Sequence, residues 1–260
     1  MRRVVFLTGL LAAGLCCGGA RAETRLHGNY VVSLAGIVVG RGHWDLRLEP
    51  HGYSAAGGGG TVGVAALFSS GKGEASAAGD LRDGVPEPGR YDYASTTRRK
   101  FDEVHIRLKD RDVVDAQVDP PPGQGRKRVK LEEEHRKGVF DPVSAILFPV
   151  RGALGPESCG RVLPVFDGRM RYDLQFSFAR IEDVATEKGY RGPALVCRVR
   201  FAPIAGHVPD RPAIKYLVGL ESIEMWLAPV AGTGLAVPWR VRIPTPFGTA
   251  EMEAERFEVR

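Results

Sequence analysis

From residue 23 onward, apolar and polar residues alternate with a period of two, the pattern of β-strands with one buried face. Trp44, Leu46 and Leu48, for example, alternate with charged neighbours. Four further segments share the pattern: 171–178, 197–201, 223–227 and 237–243. Weaker strand candidates occupy 30–39, 61–68, 91–95, 104–108, 113–118 and 251–259. The alternation therefore predicts about ten strands.

Turn-forming residues separate these segments and favour antiparallel hairpins. The predicted turns are Pro50-His51-Gly52, the Gly57–Gly60 run, Asp83-Gly84, Pro88-Gly89, residues 120–123, Asp167-Gly168 and Pro246-Phe247-Gly248. Helical patterns are scarce. One short helix is predicted over 141–148, with Asp141 as N-cap and Pro142 at the first position. A second is predicted over 211–220, where Ile214, Leu217 and Val218 share a face.

This succession of elements predicts an all-β protein. We expect a large curled antiparallel sheet, in the form of a half-barrel or β-spiral, with one or two short helices. The proline-rich stretch at 120–125 is not taken as a domain boundary, because the strands on both sides of it present one apolar face each. Residues 23–260 are therefore predicted to form a single β-rich domain.

The first 22 residues have the pattern of a secretory signal peptide. Arg2 and Arg3 precede an apolar stretch, which ends in the small-residue sequence Ala20-Arg21-Ala22. The apolar stretch is shorter than the roughly 20 residues of a transmembrane helix, and Leu15 before Cys16 is a poor match to a lipid-attachment site. We expect residues 1–22 to be removed, and the remaining chain to lie in the periplasm without a transmembrane span.

The net charge argues against nucleic-acid binding. The chain has 36 Lys and Arg residues against 31 Asp and Glu residues, a formal charge of +5. Removing Arg2, Arg3 and Arg21 with the leader leaves 33 basic against 31 acidic residues. Such a small excess gives little electrostatic attraction to a phosphate backbone.

Cys159 and Cys197 are the two cysteines that remain after removal of the leader. An oxidising compartment favours their pairing, so we predict a disulfide bond. Closing a loop of this length stabilises a fold by about 4 kcal/mol in the chain-entropy model. The spacing differs from the Cys-x-x-Cys of redox-active pairs, and the scattered histidines do not add a metal-binding pattern.

Motifs of catalysis and cofactor binding are missing or incomplete. Gly58-x-Gly60-x-x-Gly63 matches the spacing of a dinucleotide-binding loop, but it lies in a glycine run without a strand–turn–helix context. Ser70-Gly71-Lys72-Gly73 lacks the Ser or Thr that ends a phosphate-binding loop. Neither Gly-x-Ser-x-Gly nor His-Glu-x-x-His occurs. We therefore predict no catalytic residue, no metal and no cofactor, with a periplasmic hydrolase built from dispersed residues as the weakest alternative.

Four segments, taken in order, resemble one family of exported bacterial proteins. They are the opening Gly28–Gly40, Asp141–Ala145, the Val165–Arg169 turn and Gly192–Gly206. Together they are similar to the domain of unknown function 3108 family over nearly the whole mature chain. The family in turn resembles the curled half-barrels of periplasmic lipoprotein carriers and related envelope-integrity proteins. The resemblance implies an all-β fold and a location in the cell envelope, and it transfers no catalytic residues.

The resemblance and the apolar strand faces together suggest a non-enzymatic protein of the Gram-negative envelope that supports envelope integrity. A lipid, a lipoprotein acyl chain or an extended peptide is expected on the concave sheet face. The candidate cavity residues are Trp44, Tyr172, Phe176, Phe201, Met225 and Trp239. A simpler interpretation stays open at each of these positions, because large apolar side chains also fill protein cores.

An alternative function is a scaffold that binds an envelope protein or the cell wall through an exposed strand edge or through a basic surface. Its surface candidate is a basic strip formed by Arg126, Arg128 and Lys130. The acidic residues at 132–134 follow directly and would neutralise part of the charge of the strip.

Overall fold

The computed structural model describes residues 23–63, 66, 70–122, 127–150 and 152–260, and the predicted signal peptide lies outside them. One sheet of 15 strands dominates the fold. The first seven strands are β1 (Thr24–Leu34), β2 (Ile37–Leu48), β3 (Gly52–Thr61), β4 (Gly71–Arg82), β5 (Val85–Thr97), β6 (Phe101–Lys109) and β7 (Asp112–Asp119). These strands confirm the predicted all-β fold class.

The second part of the chain contains shorter elements as well. Its strands are β8 (Phe148–Pro149), β9 (Arg161–Phe166), β10 (Arg171–Ala185), β11 (Lys188–Gly189), β12 (Arg191–Ala205), β13 (Ile223–Val230), β14 (Leu235–Thr245) and β15 (Gly248–Val259). Two short α-helices, α1 (Pro156–Cys159) and α2 (Pro212–Val218), accompany 3-10 turns at Glu133–Arg136 and Ser144–Ile146. Among the described residues, no helix is long and apolar enough to cross a bilayer.

Neighbouring strands of the sheet are mostly neighbours in sequence. The order is β7-β6-β5-β4-β3-β2-β1-β15-β14-β13-β12-β10-β9, with the short β8 and β11 beside β14 and β15. Consecutive strands joined by tight turns give antiparallel ladders. The pairing with the greatest sequence separation joins the first strand to the last, from Leu26 opposite Val259 to Leu34 opposite Ala250. This pairing places both ends of the described chain in the middle of the sheet.

The sheet is open, and a separate segment connects its two edges. We call residues 139–149 the crossing segment. The N–H of Val139 donates to the carbonyl of Arg111 beside β7, and the N–H of Phe140 donates to Pro164 in β9, both at 2.8 Å. Val139 and Phe166 also share a buried cluster with residues of β4, β5 and β6. The two edges of the curled sheet are therefore held together by the crossing segment and by side-chain packing.

The predicted disulfide bond is present between Cys159 and Cys197. It connects α1 to the middle of β12, and both cysteines are fully buried. The surrounding cluster includes Phe148 of the crossing segment and Phe176 of β10, whose ring centroids are 4.7 Å apart. The disulfide therefore fixes α1 against β12 in the second half of the sheet.

Several sequence predictions differ from the structure in their details. The Gly57–Gly60 run and Pro88-Gly89 lie inside β3 and β5, although both were predicted as turns. Part of the strand predicted at 61–68 lies outside the described residues, and β3 already ends at Thr61. The helix predicted at 141–148 is one 3-10 turn, because the chain becomes extended at Leu147 and pairs with β14. The second predicted helix is confirmed as α2.

Candidate functional site

A cleft on the inner face of the first half of the sheet is lined by backbone where side chains would otherwise stand. Gly42 of β2 lies opposite Gly59 of β3, which lies opposite Gly73 of β4. Gly40 and Gly71 occupy the same face one step closer to the end of the sheet. We call this space the glycine cleft; its volume is about 680 Å³, within the usual range for ligand-binding pockets.

The walls of the glycine cleft are aromatic and aliphatic. Trp44 and Tyr93 stand at its inner end, and Ile146, Pro238 and Met252 also line it. Charged residues in the same stretches, such as Arg41 and Lys72, are exposed and alternate with the glycines, so they belong to the outer face. The cleft therefore offers an apolar surface to a ligand.

Tyr30 completes the wall next to Gly42. Its hydroxyl donates a hydrogen bond to the carbonyl of Pro238 at 2.8 Å, which joins β1 to β14. Burial raises the pKa of this hydroxyl well above its ordinary value, so the side chain stays neutral. The ring of Tyr30 thus adds apolar surface while its polar atom is satisfied within the protein.

The cleft has one closed end and one open end. Beyond Trp44 and Tyr93, the next cross-strand row contains Leu46 and Tyr91, which are buried in the core. In the other direction the lining continues to Thr97, the last residue of β5. The open end of the cleft therefore coincides with the end of the sheet where β1, β3 and β5 terminate.

Close backbone approach explains part of the glycine pattern. A Cβ atom on Gly59 would lie 2.7 Å from the carbonyl oxygen of Arg41, and one on Gly42 would lie 2.9 Å from that of Gly58. Gly73 differs, because its nearest neighbour would be the Cβ of Ser95 at an ordinary 3.5 Å. At Gly73, the space kept free by the missing side chain is therefore the cleft itself.

The six predicted cavity residues occupy different places. Trp44 lines the glycine cleft. Phe176 and Met225 lie in the cluster around the disulfide, and Trp239 lies in the largest core cluster. The rings of Tyr172 and Phe201 pack against each other across β10 and β12, with centroids 5.3 Å apart. The structure thus brings one of the six residues to the cleft and the other five to packed regions elsewhere.

The described part of the predicted basic strip makes contacts within the chain. Arg128 donates to the carbonyl of Gly206 at 2.7 Å, and Lys130 forms an ion pair with Glu132 at 2.8 Å. Arg126 lies outside the described residues. The strip therefore contributes to the packing of this connection against β12.

A second concavity of about 670 Å³ lies on the outer face of the same strands. Its lining is more polar than that of the glycine cleft, and three of its arginines already have carboxylate partners. Arg25 and Arg47 both pair with Glu23, and Arg90 pairs with Asp92. This neutralisation leaves little charge for an anionic ligand, so the glycine cleft is the better candidate.

A buried carboxylate lies in the crossing segment. Oδ1 of Asp141 accepts hydrogen bonds from the N–H groups of Val143 and Ser144, both at 2.9 Å. The hydroxyl of Ser144 donates to the other carboxylate oxygen of Asp141. Burial raises the pKa of Asp141 to about 6, although the hydrogen bonds from Ser144 and Val143 act in the opposite direction. The carboxylate is fully buried, so its partners fix the segment.

The described residues contain no group of three or more His, Cys, Asp or Glu side chains arranged to hold a metal ion.

Sequence reasoning missed the glycines that line the cleft. A run of four consecutive glycines is typical of a turn, and the run 57–60 predicts one. The available signal was a period of two: glycines recur at 40 and 42, at 57 and 59, and at 71 and 73. Three such pairs in adjacent hairpin strands indicate one sheet face without side chains.

Comparison with known proteins supports the fold and gives the family. The crystal structure of a beta-barrel-like protein of domain of unknown function DUF1849 from Brucella abortus is similar, with a TM-score of 0.53 and 9% sequence identity. The similarity covers 91% of this chain and 98% of that chain, and it concerns the fold alone. No curated protein sequence matches the chain. The sequence model of the protein of unknown function family DUF3108 matches residues 29–255, so the chain belongs to that family.

Proposed function

We propose that the protein binds the acyl chain of a lipid or lipoprotein in the glycine cleft, as a non-enzymatic protein of the periplasm of Gram-negative bacteria. The observation that carries this proposal is an apolar cleft with one closed end and one open end. An unbranched chain fits an open cleft that is lined by backbone and flanked by Trp44, Tyr93 and Met252. Such a ligand needs no charged partner inside the cleft.

The energetics favour a hydrocarbon ligand. Burying about ten methylene groups contributes roughly 8 kcal/mol before the cost of ordering the chain. The hydroxyl of Tyr30 already donates to the carbonyl of Pro238, so it needs no hydrogen-bond acceptor on the ligand. A polar ligand would instead lose its hydration without gaining charged partners.

Two features support the periplasmic location. Cys159 and Cys197 form a disulfide bond, as is common in oxidising compartments. Residues 1–22 have the sequence pattern of a leader. A role in envelope integrity is consistent with this location.

The first test is native mass spectrometry, with solvent extraction, of residues 23–260 purified from periplasm without detergent. We expect a stoichiometric acyl species on the wild-type protein. A clean apo mass, together with failure to bind added fatty acid, would overturn the proposal.

A matched pair of variants locates the ligand. Gly73→Val places a branched side chain in the cleft at a position with room for Cβ. Ala94→Val is the control, because Ala94 lies opposite Glu74 on the outer face of the same strands. We expect Gly73→Val to lose the acyl species and Ala94→Val to keep it. Equal occupancy in both variants would exclude the cleft as the binding site.

Tryptophan fluorescence gives an independent measurement. The chain has three tryptophans; Trp44 lines the cleft, whereas Trp226 and Trp239 are buried in the core. A brominated fatty acid quenches a ring that it contacts. We expect saturable quenching in the wild type and its loss in Trp44→Phe; quenching that persists in Trp44→Phe would contradict a ligand in the cleft.

A second candidate function is the scaffold. The specific observation is that the sheet ends at two edge strands, β7 and β9, which carry exposed Val114 and Val162. An edge strand can bind an extended peptide by strand addition. Cross-linking of the apo protein in the envelope, with Val114→Lys as the blocking variant, tests this alternative.

A further inference from the structure

The open end of the glycine cleft is bordered by exposed apolar side chains. Phe247, in the turn between β14 and β15, is 80% exposed, and Ile37, directly after the turn between β1 and β2, is 59% exposed. The two turns are in contact, because the N–H of Ala35 donates to the carbonyl of Thr249 at 2.9 Å. Val38 is exposed in the same place. These residues form one apolar protrusion beside the cleft.

A basic turn lies at the same end of the sheet. Arg98, Arg99 and Lys100 connect β5 to β6, and all three are exposed. The turn starts at Thr97, which lines the cleft and whose N–H donates to the carbonyl of Lys100 at 2.8 Å. Among the described ion pairs, none involves these three basic side chains. Their charge is therefore available to an external partner.

The opposite end of the sheet has a different character. The turns there lie at residues 49–51, 83–84 and 110–111, and they include Glu49, Asp83 and Asp110. Exposed large apolar side chains of the described chain do not occur in these turns. The combination of apolar protrusions and unpaired positive charge thus distinguishes the end where the cleft opens.

We propose that this rim, formed by Ile37, Val38, Phe247 and the basic turn 98–100, docks on an anionic lipid bilayer. The occupant follows from the chemistry, since apolar side chains enter the interface while basic side chains approach lipid headgroups. The proposal deepens the proposed function and rests on it in one respect: docking places the open cleft against the bilayer. An acyl chain then moves between membrane and cleft without crossing water.

The experiment is co-sedimentation of residues 23–260 with vesicles of pure phosphatidylglycerol and of pure phosphatidylcholine. We expect the wild type to bind the anionic vesicles. The triple variant Arg98→Gln, Arg99→Gln and Lys100→Gln should weaken that binding about 100-fold. Each basic residue near an anionic surface raises the affinity about fivefold, and the variant removes three of them. Ile37→Ser with Phe247→Ser should weaken it at least about 10-fold through loss of apolar burial.

Matched controls carry the same chemical changes elsewhere. Val114→Ser with Ile181→Ser removes two exposed apolar side chains outside the rim. Lys109→Gln, Lys137→Gln and Lys188→Gln together remove three exposed positive charges away from it. Both controls should bind anionic vesicles like the wild type. Absence of wild-type binding, or equal losses in the controls, would overturn the proposal.

The two sets of rim variants also separate a membrane from other polyanions. Binding that needs the basic turn but not Ile37 and Phe247 would overturn docking by insertion, because any polyanion would then suffice. Quenching of Trp44 by brominated fatty acid distinguishes the two proposals. Rim-dependent vesicle binding without such quenching would support docking and refute the acyl ligand. Quenching without vesicle binding would support the acyl ligand and refute docking.

Discussion

The hydroxyl of Tyr53 lies 2.5 Å from the hydroxyl of Ser144. Ser144 uses its own hydrogen to donate to Asp141, so Tyr53 is the donor in this contact. The bond connects β3, next to the glycine cleft, with the crossing segment. Ile146, two residues further along that segment, lines the cleft. The buried Tyr53–Ser144–Asp141 group thus positions one wall of the candidate site.

Removing the middle of this group should destabilise the protein more than removing its end. Ser144→Ala leaves the buried Tyr53 hydroxyl without its acceptor and Oδ2 of Asp141 without the hydroxyl that donates to it, so we expect a loss of about 2–4 kcal/mol. Tyr53→Phe removes one donor and should cost about 1 kcal/mol. Urea unfolding measures both values. Tyr93→Phe is the control for a cleft tyrosine, and a larger loss in Tyr53→Phe than in Ser144→Ala would contradict this assignment.

The raised pKa of Asp141 should make stability fall as the pH rises. In the folded state Asp141 has a pKa of about 6 and stays protonated below that pH. In the unfolded state it loses the proton near its ordinary pKa of 3.8. Between these values the folded state binds more protons, so the free energy of unfolding decreases with pH. Relative to Asp141→Asn, the wild type should lose about 3 kcal/mol across this interval and little beyond it.

Chemical unfolding at a series of pH values checks this difference. Asp210→Asn changes an exposed carboxylate and serves as the control. A difference between wild type and Asp141→Asn that is flat from pH 4 to pH 7 would show that Asp141 is ionised throughout.

The disulfide bond should contribute strongly to stability. Cys159 and Cys197 are 38 residues apart, and closing such a loop lowers the entropy of the unfolded chain by the equivalent of about 4 kcal/mol. We expect Cys159→Ala with Cys197→Ala to lose at least that amount, since both side chains are also buried. The free energy of unfolding of the wild-type protein should fall by a comparable amount under strong reductant. A difference below about 1 kcal/mol between the oxidised and the reduced protein would contradict the entropic account.

Two glycines of the cleft should respond in opposite ways to alanine. Gly59→Ala forces a Cβ against the carbonyl oxygen of Arg41 and should destabilise the protein by about 1–3 kcal/mol. Gly73→Ala meets only ordinary contacts and should be neutral or stabilising by up to about 1 kcal/mol. Thermal unfolding compares the two variants directly. Similar losses in both would mean that backbone approach does not explain the pattern.

Local patterns predicted the strands and the disulfide, because alternation and cysteine count depend on short-range chemistry. Trp44, Leu46 and Leu48 face the interior as their spacing indicated. The pairing of β1 with β15 could not be predicted from the sequence, since the residues involved are more than 200 positions apart and no local signal specifies the partner. The crossing segment was missed for a similar reason: its partners Arg111 and Pro164 lie in distant turns and strands.

The candidate site was predicted only at Trp44. Large apolar side chains are equally suited to a core and to a cavity, and Phe176, Met225 and Trp239 lie in packed clusters. The cleft depends instead on side chains that are missing. Composition alone assigns glycine runs to turns, and only the register of β2, β3 and β4 shows that Gly42, Gly59 and Gly73 share one row.

A cleft bounded by glycines has a length that single substitutions can change. At Gly71 and Gly73 a new side chain would fill the cleft at a chosen distance from its open end, and neither position has positive φ. The strand ladders would remain as they are, because the added atoms project away from the backbone hydrogen bonds. Under the acyl-chain binding proposed above, related sequences that differ at these two positions would accept hydrocarbon chains of different lengths on the same scaffold, and the longest chain retained would report where the first side chain stands.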